Sequence, residues 1–322
     1  MEETFLIASP SPHLRSKETI ARIMWRVTLS LIPVIMYSAY HFGVKVLVPI
    51  VFAMASAMAL EVVCLAARRK KIAIVFDGSA ALTGLLLAFN VPPEIDLWIL
   101  FIGVTVAICI AKHLFGGIGY NLFNPAFIGR AFLLAAWPAE MTHWTLNGVS
   151  TATPLGILKE HGYSAVVEAF GSKTAMYWHM FIGDIPGCIG ETSALLIIVA
   201  GGLLFYWKII NWQTPAAYLM SILLLSWMFG GNSGFMSGDP LFYALSGGLC
   251  LAVFVMANDM VTSPLTLKGK FVFGLGCGVL TFIIRKYSAY PEGVSYAVLL
   301  MNACTPLIDK YIVNRRYGTQ KA

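Results

Sequence analysis

The sequence is short of charge. Only 12% of its 322 residues are Asp, Glu, Lys or Arg, whereas 58% are hydrophobic; an average soluble domain carries about 25% charged residues. A water-soluble fold of this length could not bury so much apolar surface, so the composition indicates that the solvent is lipid. The net charge of +6 does not predict nucleic-acid binding, because the basic residues lie between apolar segments and not on one polar surface.

Three further features are missing. The first 20 residues contain no apolar stretch before a small-residue cleavage site, so no cleavable signal peptide is evident and the first span is expected to direct membrane targeting. The six cysteines form no CxxC pair, so metal-cluster spacing is absent and buried apolar thiols are predicted, while a single intramembrane metal ligand shared with another subunit stays open as an alternative. They are Cys64, Cys109, Cys188, Cys250, Cys277 and Cys304. No dinucleotide-binding fingerprint is present, so the chain is not expected to hold a complete active site.

Ten apolar segments are candidates for membrane-spanning helices, each of which needs about 20 mostly apolar residues. Glycine or polar residues interrupt the third, fifth and eighth of them. The sequence therefore predicts an all-α integral membrane protein with about ten transmembrane helices. The segments are residues 22–41, 45–67, 73–91, 96–114, 124–139, 190–209, 213–231, 240–259, 270–287 and 293–313.

Basic residues are distributed unevenly between the two sides of this predicted bundle. With the N-terminus in the cytoplasm, 17 of the 22 Lys and Arg residues, Arg130 and Lys112 among them, fall on the cytoplasmic side. The positive-inside rule makes this the expected orientation. Both termini are then cytoplasmic, and residues 141–189 form an external loop between a first membrane half (1–140) and a second (190–322). The outer side keeps Lys45, Lys159, Lys173, Arg285 and Lys286.

The two predicted halves have five spans each, and an odd number inverts the second half relative to the first, as in many transporters. Asn followed by Pro recurs at matching places in the halves. Such breaks survive in lipid only where helices line a cavity or a ligand site. The sequence therefore favours two inverted five-helix repeats. The matching pairs are Asn90 to Pro92 with Asn258 to Pro264, and Asn124-Pro125 with Asn302 to Pro306.

A glycine-rich run extends from Gly116 to Arg130. Its three leading glycines let the backbone turn tightly and approach a ligand closely. Asn121 and Asn124 offer amide donors and acceptors that match the carbonyls and ring nitrogens of a flavin. The same residues are also consistent with a helix that begins at Pro125 and is capped by Asn124. On physical grounds alone both interpretations stay open.

Acidic side chains at membrane depth are costly and usually functional. Asp77, Asp259 and Asp309 lie near span ends, where each can reach interfacial water. Glu61 lies deeper and is expected to pair with a neighbouring subunit. Any of the four could serve ion coupling. His113 and His143 have no partner at metal-ligand spacing, so no metal role is predicted for either.

Several stretches that together cover nearly the whole chain resemble the NqrB/RnfD family, and its RnfD branch in particular. The resemblance implies a multi-pass subunit of the prokaryotic cell membrane, in an Rnf-type complex that couples electron transfer between ferredoxin and NAD to Na+ or H+ translocation. The stretches are Ser11–Arg15, Phe76–Ala80, Gly116–Arg130, Gly190–Ser193, Met256–Pro264 and Glu292–Ala297.

The same resemblance points to a flavin attachment site at Ser150-Thr151-Ala152-Thr153. The family's motif reads Ser-Gly-Ala-Thr, and its last threonine carries FMN through a phosphoester. The acceptor therefore maps onto Thr153, with Ser150 and Ala152 matching. Thr151 departs from the motif and places a competing hydroxyl where the family has glycine. A flavin transferase on the outer face would complete the modification.

The resemblance also assigns Asn121 and Asn124 to a second, noncovalent flavin, riboflavin, towards the cytoplasm. Two flavins on opposite faces could carry electrons across the membrane. The implied partners are iron–sulfur, NAD-binding and second covalent-flavin subunits, and membrane lipid; nucleic acid is not among them. Two alternatives remain: an NqrB-like subunit of a Na+-translocating NADH:quinone reductase, and a channel or transporter without redox chemistry.

Overall fold

The structure is a computed structural model that describes residues 18–146, 149–191, 193–231, 234–288, 290 and 292–313. The stretch Ser11–Arg15 and the basic C-terminal residues Arg315 and Arg316 lie outside the described residues. Up to Ala136, the described residues of the first half form six α-helices. They are α1 (Ile20–Ser30), α2 (Ile32–His41), α3 (Leu47–Ala67), α4 (Ser79–Phe89), α5 (Leu97–Thr105) and α6 (Pro125–Ala136).

A polar layer connects the two halves. It begins with α7 (Pro138–Thr142) and a two-stranded hairpin, β1 (Thr145–Leu146) and β2 (Val149–Ser150), in which Thr145 lies opposite Ser150. Two helices follow, α8 (Pro154–Ala169) and α9 (Lys173–Ile182). The predicted external loop therefore has its own secondary structure. A small apolar cluster that includes Leu155, Val166 and Met176 packs it onto the second half of the chain.

The second half again consists of helices, and two of them are short. Gly247 and Gly248 both adopt positive φ angles, which glycine tolerates, and so they interrupt the predicted eighth span. The helices are α10 (Ala194–Tyr206), α11 (Gln213–Phe229), α12 (Pro240–Leu245), α13 (Leu249–Phe254), α14 (Leu267–Tyr287) and α15 (Val294–Tyr311).

Each of the ten segments predicted as spans contains helix in the structure. Within the described residues, four stretches are both long and apolar enough to cross a membrane: Ile20–His41, Val44–Ala67, Leu97–Leu114 and Leu267–Tyr287. Shorter apolar helices accompany them, and many large apolar side chains face outward. The chain is therefore a multi-pass helical membrane protein. The shorter helices include α4, whose side chains are almost all buried inside the bundle.

Close helix packing depends on small residues. A Cβ at Gly274 of α14 would stand 2.5 Å from the Thr214 carbonyl oxygen of α11, and a Cβ at Gly84 of α4 would stand 2.4 Å from that of Ala53 in α3. Small residues let helix backbones approach in this way in membranes, where dispersion contacts replace the hydrophobic effect. Almost all side chains of α4 and α13 are buried, so both helices lie inside the protein.

Candidate functional site

Thr151, Ala152 and Thr153 line a cavity of about 440 Å³, which we call the threonine cavity. These three residues lie between β2 and the start of α8. The opposite wall comes from the middle of α6 and the start of α15, and exposed Glu160 lies at the rim. The volume is within the range of small-molecule sites. The remaining lining residues are Arg130, Leu134, Met141, Thr142, Trp144, Gly156, Tyr290, Glu292, Gly293, Ser295 and Tyr296.

Thr153 is the N-cap of α8. Its Oγ1 accepts a hydrogen bond from the Gly156 backbone N–H at 3.1 Å, and Pro154 occupies the first helical position. Because a helix N-terminus has unsatisfied N–H groups and a positive end of the dipole, anions are favoured there. A phosphate joined to Thr153 would therefore stand where the local backbone favours negative charge. The residues present fit an esterified nucleotide in this respect.

The other residues of the tetrapeptide are placed differently. The Thr151 backbone N–H donates to the Trp144 carbonyl at 2.9 Å, and its buried Oγ1 has no hydrogen-bond partner among the described residues. Ala152 is exposed, and the Ser150 backbone belongs to β2. Two hydroxyls thus adjoin one cavity, but only that of Thr153 caps a helix.

Arg130 forms the centre of a buried polar group beside this cavity. Its Nη1 donates to Asn90 Oδ1 at 3.0 Å, and its Nη2 donates to Glu292. Glu191 Oε1 lies 3.7 Å from Nη1, and Cys188 Sγ lies 3.8 Å from Nη2. We call these five residues the arginine centre. Sequence reasoning missed it, because its members come from four separate parts of the chain.

The predicted placement of Arg130 and Arg285 on opposite sides must be corrected. The charge pattern assigns Arg130 to the cytoplasmic side and Arg285 to the outer side, but both contact Glu292: Arg285 Nε donates to the Glu292 carbonyl at 3.1 Å. They therefore lie at the same end of the bundle. The reason is that Arg130 is six residues into α6, about 9 Å beyond its N-terminus along the axis, and its long side chain points to the threonine cavity.

Asn121 and Asn124 line a second cavity, of about 100 Å³, which we call the asparagine cavity. Their amides are largely occupied by the protein. Asn121 Nδ2 donates to the Phe123 carbonyl at 3.2 Å. Asn124 Oδ1 caps α6 by accepting from Ala126 N–H at 3.1 Å, and its Nδ2 donates to the Met256 carbonyl at 3.2 Å. The capping role that the sequence predicted for Asn124 is confirmed.

Glu61 has its partners within this chain, so the expected pairing with a neighbouring subunit is wrong. Lys112 Nζ donates to Glu61 Oε2 and to Ser79 Oγ, both at 2.8 Å. His113 Nε2 lies 3.1 Å from the same Glu61 oxygen. A π-helical segment, Val106–Leu114, continues α5 and buries both Lys112 and His113. Lys112 is therefore buried inside the helix bundle, at 2% exposure.

The remaining acidic candidates serve local structure. Asp77 Oδ1 accepts from the Ser79 backbone N–H at 2.7 Å, at the start of α4. Asp259 Oδ2 accepts from Thr262 Oγ1 at 3.0 Å, and Asp309 Oδ1 accepts from the Leu265 N–H at 3.0 Å. Asp259 also lines the asparagine cavity. His143 is exposed.

The cysteines are all free thiols, and their burial differs from the prediction in part. Cys188, Cys250 and Cys277 are buried, as expected from their apolar surroundings. Cys64 and Cys109 are half-buried, with their sulfurs 3.5 Å apart, and Cys304 is exposed on α15. The prediction fails for Cys304 because apolar sequence in a membrane protein also marks the lipid-facing surface.

Asp239 binds the polar layer to the second half. The hydroxyls of Tyr163 in α8 and Tyr177 in α9 both donate to Asp239 Oδ2, and Lys173 Nζ lies 3.6 Å from it. Burial favours a higher pKa for Asp239, but these hydrogen bonds outweigh it and lower the pKa below its usual value. The carboxylate thus holds the layer that carries Thr153 on the helices beneath.

A chain of contacts joins the two cavities. Arg130 at the threonine cavity donates to Asn90, whose Nδ2 lies 3.2 Å from Met256 Sδ. The Met256 carbonyl in turn accepts from Asn124 at the asparagine cavity. The two ends of this chain are Arg130 in α6 and Asn124, the N-cap of the same helix, so α6 borders both cavities.

The sequence is similar to those of several known proteins over nearly its whole length. The D component of the proton-translocating ferredoxin:NAD(+) oxidoreductase complex of Clostridium ljungdahlii is 46% identical, over 100% of this chain and 98% of the relative. The D component of the Na(+)-translocating ferredoxin:NAD(+) oxidoreductase complex of Acetobacterium woodii is 40% identical, over 100% and 98%.

A third relative, the D component of the ion-translocating oxidoreductase complex of Stutzerimonas stutzeri, is 37% identical, over 94% of this chain and 93% of the relative. The model of the NQR2, RnfD, RnfE family matches residues 7–318, which is nearly the whole sequence. This chain belongs to the NQR2, RnfD, RnfE family.

Proposed function

We propose that this protein is the RnfD component of an Rnf-type complex that couples electron transfer between ferredoxin and NAD to ion translocation. The observation that carries the proposal is the full-length similarity to two relatives named as the D component of ferredoxin:NAD(+) oxidoreductase complexes. One is named as proton-translocating and the other as Na(+)-translocating, so the names do not select the coupling ion. The family also includes NQR2, which keeps a quinone reductase subunit as the second candidate.

Within this function, Thr153 is the residue that would carry FMN, bound by a phosphoester to its Oγ1. Two observations support the assignment: Thr153 lines a cavity of about 440 Å³, and it caps α8, where an anion is favoured. The flavin would supply the redox chemistry, while the protein fixes its position and its electrostatic surroundings. Arg130, Tyr290 and Tyr296 line the same cavity and would surround the bound group.

Thr153 is a better candidate than Thr151 because of its motif position and because its hydroxyl caps a helix N-terminus, where an anion is favoured. Accessibility does not distinguish the two residues, since Thr153 is 8% exposed and Thr151 is half-buried. The Thr151 hydroxyl has no hydrogen-bond partner in the described part of the chain. A glycine at position 151 would add no side chain to the wall of the threonine cavity. Thr151 instead offers a hydroxyl donor to a group bound in that cavity.

A noncovalent flavin, riboflavin, is proposed for the asparagine cavity, with Asn121 and Asn124 at its wall. At about 100 Å³ the cavity is below the range of small-molecule sites. Binding would therefore require α1 and the Gly116–Asn124 segment to move apart, or a partner surface to complete the site. The positive φ angles of Gly116, Gly117 and Gly119 make that segment the one that could rearrange.

The orientation proposed from charge still holds after the correction at Arg130. With Arg130 counted on the outer side, 16 of the 22 basic residues are cytoplasmic and 6 are on the outer side, instead of 17 and 5. Thr153 would face outward, where a flavin transferase could act, and both termini would be cytoplasmic. Ten spans in two inverted sets of five remain the proposed topology, with α4 and α13 as equivalent short helices.

The chain would work with other subunits of the complex. Iron–sulfur, NAD-binding and second covalent-flavin subunits would supply the centres that this sequence lacks. Electrons would reach the threonine cavity from such partners, and the contact chain from Arg130 to Asn124 would join it to the asparagine cavity. The protein is therefore proposed to act as one relay within a translocase of the cell membrane.

Flavin fluorescence of the denatured polypeptide, after separation in a gel, tests the attachment. We expect a fluorescent band for the wild type and for Thr151→Val, and no fluorescence for Thr153→Val. Thr151→Val is the matched control, because it removes the neighbouring hydroxyl of the same cavity. Mass spectrometry of a peptide containing residues 150–159 should show the added mass of FMN. A fluorescent Thr153→Val band would refute the assignment, and a dark wild-type band would favour a protein without covalent flavin.

A further inference from the structure

The arginine centre contains more negative charge than it can satisfy by hydrogen bonding. Cys188 Sγ and carboxylate oxygens of Glu191 and Glu292 all lie within 4.8 Å of one another. Arg130 makes direct contact with Glu292, whereas Glu191 is held only at 3.7 Å. The Glu191 side chain is 6% exposed, and its Oε1 has no hydrogen-bond partner within the described ranges. Such a group is costly unless something else binds to it.

The other cation nearby does not relieve Glu191. Arg285 is buried, and its donors go to backbone carbonyls of Tyr243, Ser246, Gly247 and Glu292 at 2.6–3.1 Å. It therefore contributes charge but no hydrogen bond. With both glutamates ionised, Arg130 and Arg285 together balance the charge of Glu191 and Glu292. Protonation of one glutamate would leave these four side chains with a single positive charge.

A small void connects Glu191 with the attachment residue. It measures about 10 Å³, and its polar side chains are Thr153, Glu191 and Glu292. The remaining lining residues are Pro154, Leu155, Ile185, Pro186, Gly187 and Gly247. That is the size that admits a single water molecule, and the site offers polar partners for one. Glu292 lines both this void and the threonine cavity. A proton entering at the exposed rim thus has a short polar route to Glu191.

The absence of a side chain at Gly248 leaves space for the Glu191 carboxylate. A Cβ at Gly248 would stand 2.2 Å from Glu191 Oε1, so any larger residue there would displace the group. Among the described residues no donor reaches this oxygen, which lies against the start of α13. A proton bound there would therefore displace no hydrogen bond from those residues.

We propose that Glu191 is a proton-binding site that takes up one proton when the flavin proposed at Thr153 is reduced by one electron. The proposal rests on the function proposed above. The reductant of the complex supplies the electron, and hydronium from the side of the cavity opening supplies the proton; an O–H bond breaks in hydronium and one forms at Glu191. Glu191 and not Glu292 accepts it, because Glu292 keeps the direct contact with Arg130. The proton on Glu191 thus balances, close to the threonine cavity, the negative charge that the electron adds.

Infrared difference spectroscopy of the purified complex, reduced minus oxidised, tests this directly. We expect a carboxylic acid C=O band that appears on reduction and shifts in D2O. The band should be lost in Glu191→Gln and retained in Glu94→Gln, which removes an exposed carboxylate that belongs to neither the arginine centre nor the cavity. Absence of the band from the wild type, or its survival in Glu191→Gln, would overturn the proposal.

Glu191→Asp keeps the test decisive if Glu191→Gln does not assemble. The shorter carboxylic acid should give a band at a shifted frequency, and an unchanged band would exclude Glu191 as its source. The attachment at Thr153 is judged separately, by gel fluorescence of Thr153→Val. A flavin bound elsewhere would leave that variant fluorescent, whereas failure of the proton site would leave attachment intact and remove only the infrared signal of Glu191.

Discussion

The two cavities differ in how completely their polar groups are satisfied. In the asparagine cavity, Asn124 caps a helix and donates to a carbonyl, and the volume is about 100 Å³. Around the threonine cavity, of about 440 Å³, the Thr151 hydroxyl, Arg130 Nε and Glu191 Oε1 all lack partners among the described residues. Since buried polar groups are nearly always paired, unpaired ones point to a ligand. The threonine cavity is therefore the better candidate for a permanent occupant.

The two buried ion-pair groups show the same contrast. Lys112 donates to both Glu61 and Ser79 at 2.8 Å, so its charge is well solvated by the protein. Arg130 instead lies between two glutamates: it donates a hydrogen bond to Glu292, whereas Glu191 is 3.7 Å away. The first arrangement is typical of a structural bridge between α3 and the π-helical segment. The second leaves a carboxylate available for chemistry.

The largest effect is expected from Arg130→Met. It would leave Glu191 and Glu292 buried beside each other with Arg285 as the nearby cation, and removing one partner of a buried pair costs about 3–5 kcal/mol. Unfolding in mixed detergent micelles would measure the loss. Arg130→Met combined with Glu292→Gln should recover part of it, because one buried charge is then removed. If the single variant were as stable as the wild type, the arginine centre would not be buried as described.

Much of this fold could be predicted from the sequence, because lipid imposes long apolar helices and every predicted span contains helix. The interruption at Gly247 and Gly248 was predicted only as a weak eighth span. The arginine centre could not be predicted. Arg130 and Glu292 are 162 positions apart, and their pairing depends on how α6 meets the start of α15. Glu61 and Lys112, 51 positions apart, are a second case. Local patterns predict helices, but not which buried charges meet between them.

A smaller effect is expected from Tyr163→Phe, which acts on the polar layer above the threonine cavity. The variant removes one hydrogen bond to the Asp239 carboxylate while Tyr177 still donates. Hydrogen bonds to charged groups contribute about 1.5 kcal/mol at the lower end of their range. The sensitivity of α8 and α9 to protease would monitor unfolding of the polar layer and so measure the loss of stability. Tyr290→Phe is a matched control, since Tyr290 is a tyrosine of the same cavity region outside the Asp239 contacts.

The same contact predicts a pH dependence. The pKa of Asp239 is lowered in the folded protein, so its contribution to stability is complete above the ordinary Asp pKa of about 3.9 and is lost as pH falls through the folded value. The difference in stability between wild type and Tyr163→Phe should therefore shrink below about pH 4. A difference that stayed constant down to lower pH would show that Tyr163 acts through packing and not through the carboxylate.

The smallest effect is expected at the asparagine cavity, and it separates a structural amide from a flavin ligand. Asn124→Ala removes the cap of α6, which costs about 1 kcal/mol, whereas Asn124→Ser keeps a capping oxygen and should lose less. Unfolding measures this difference, and flavin released by denaturation measures binding. If Asn124 only caps, both variants retain whatever noncovalent flavin the wild type holds, and stability alone distinguishes them. Loss of that flavin from Asn124→Ser at near-normal stability would instead make the amide a ligand, because the cap is preserved and only the contact group has changed.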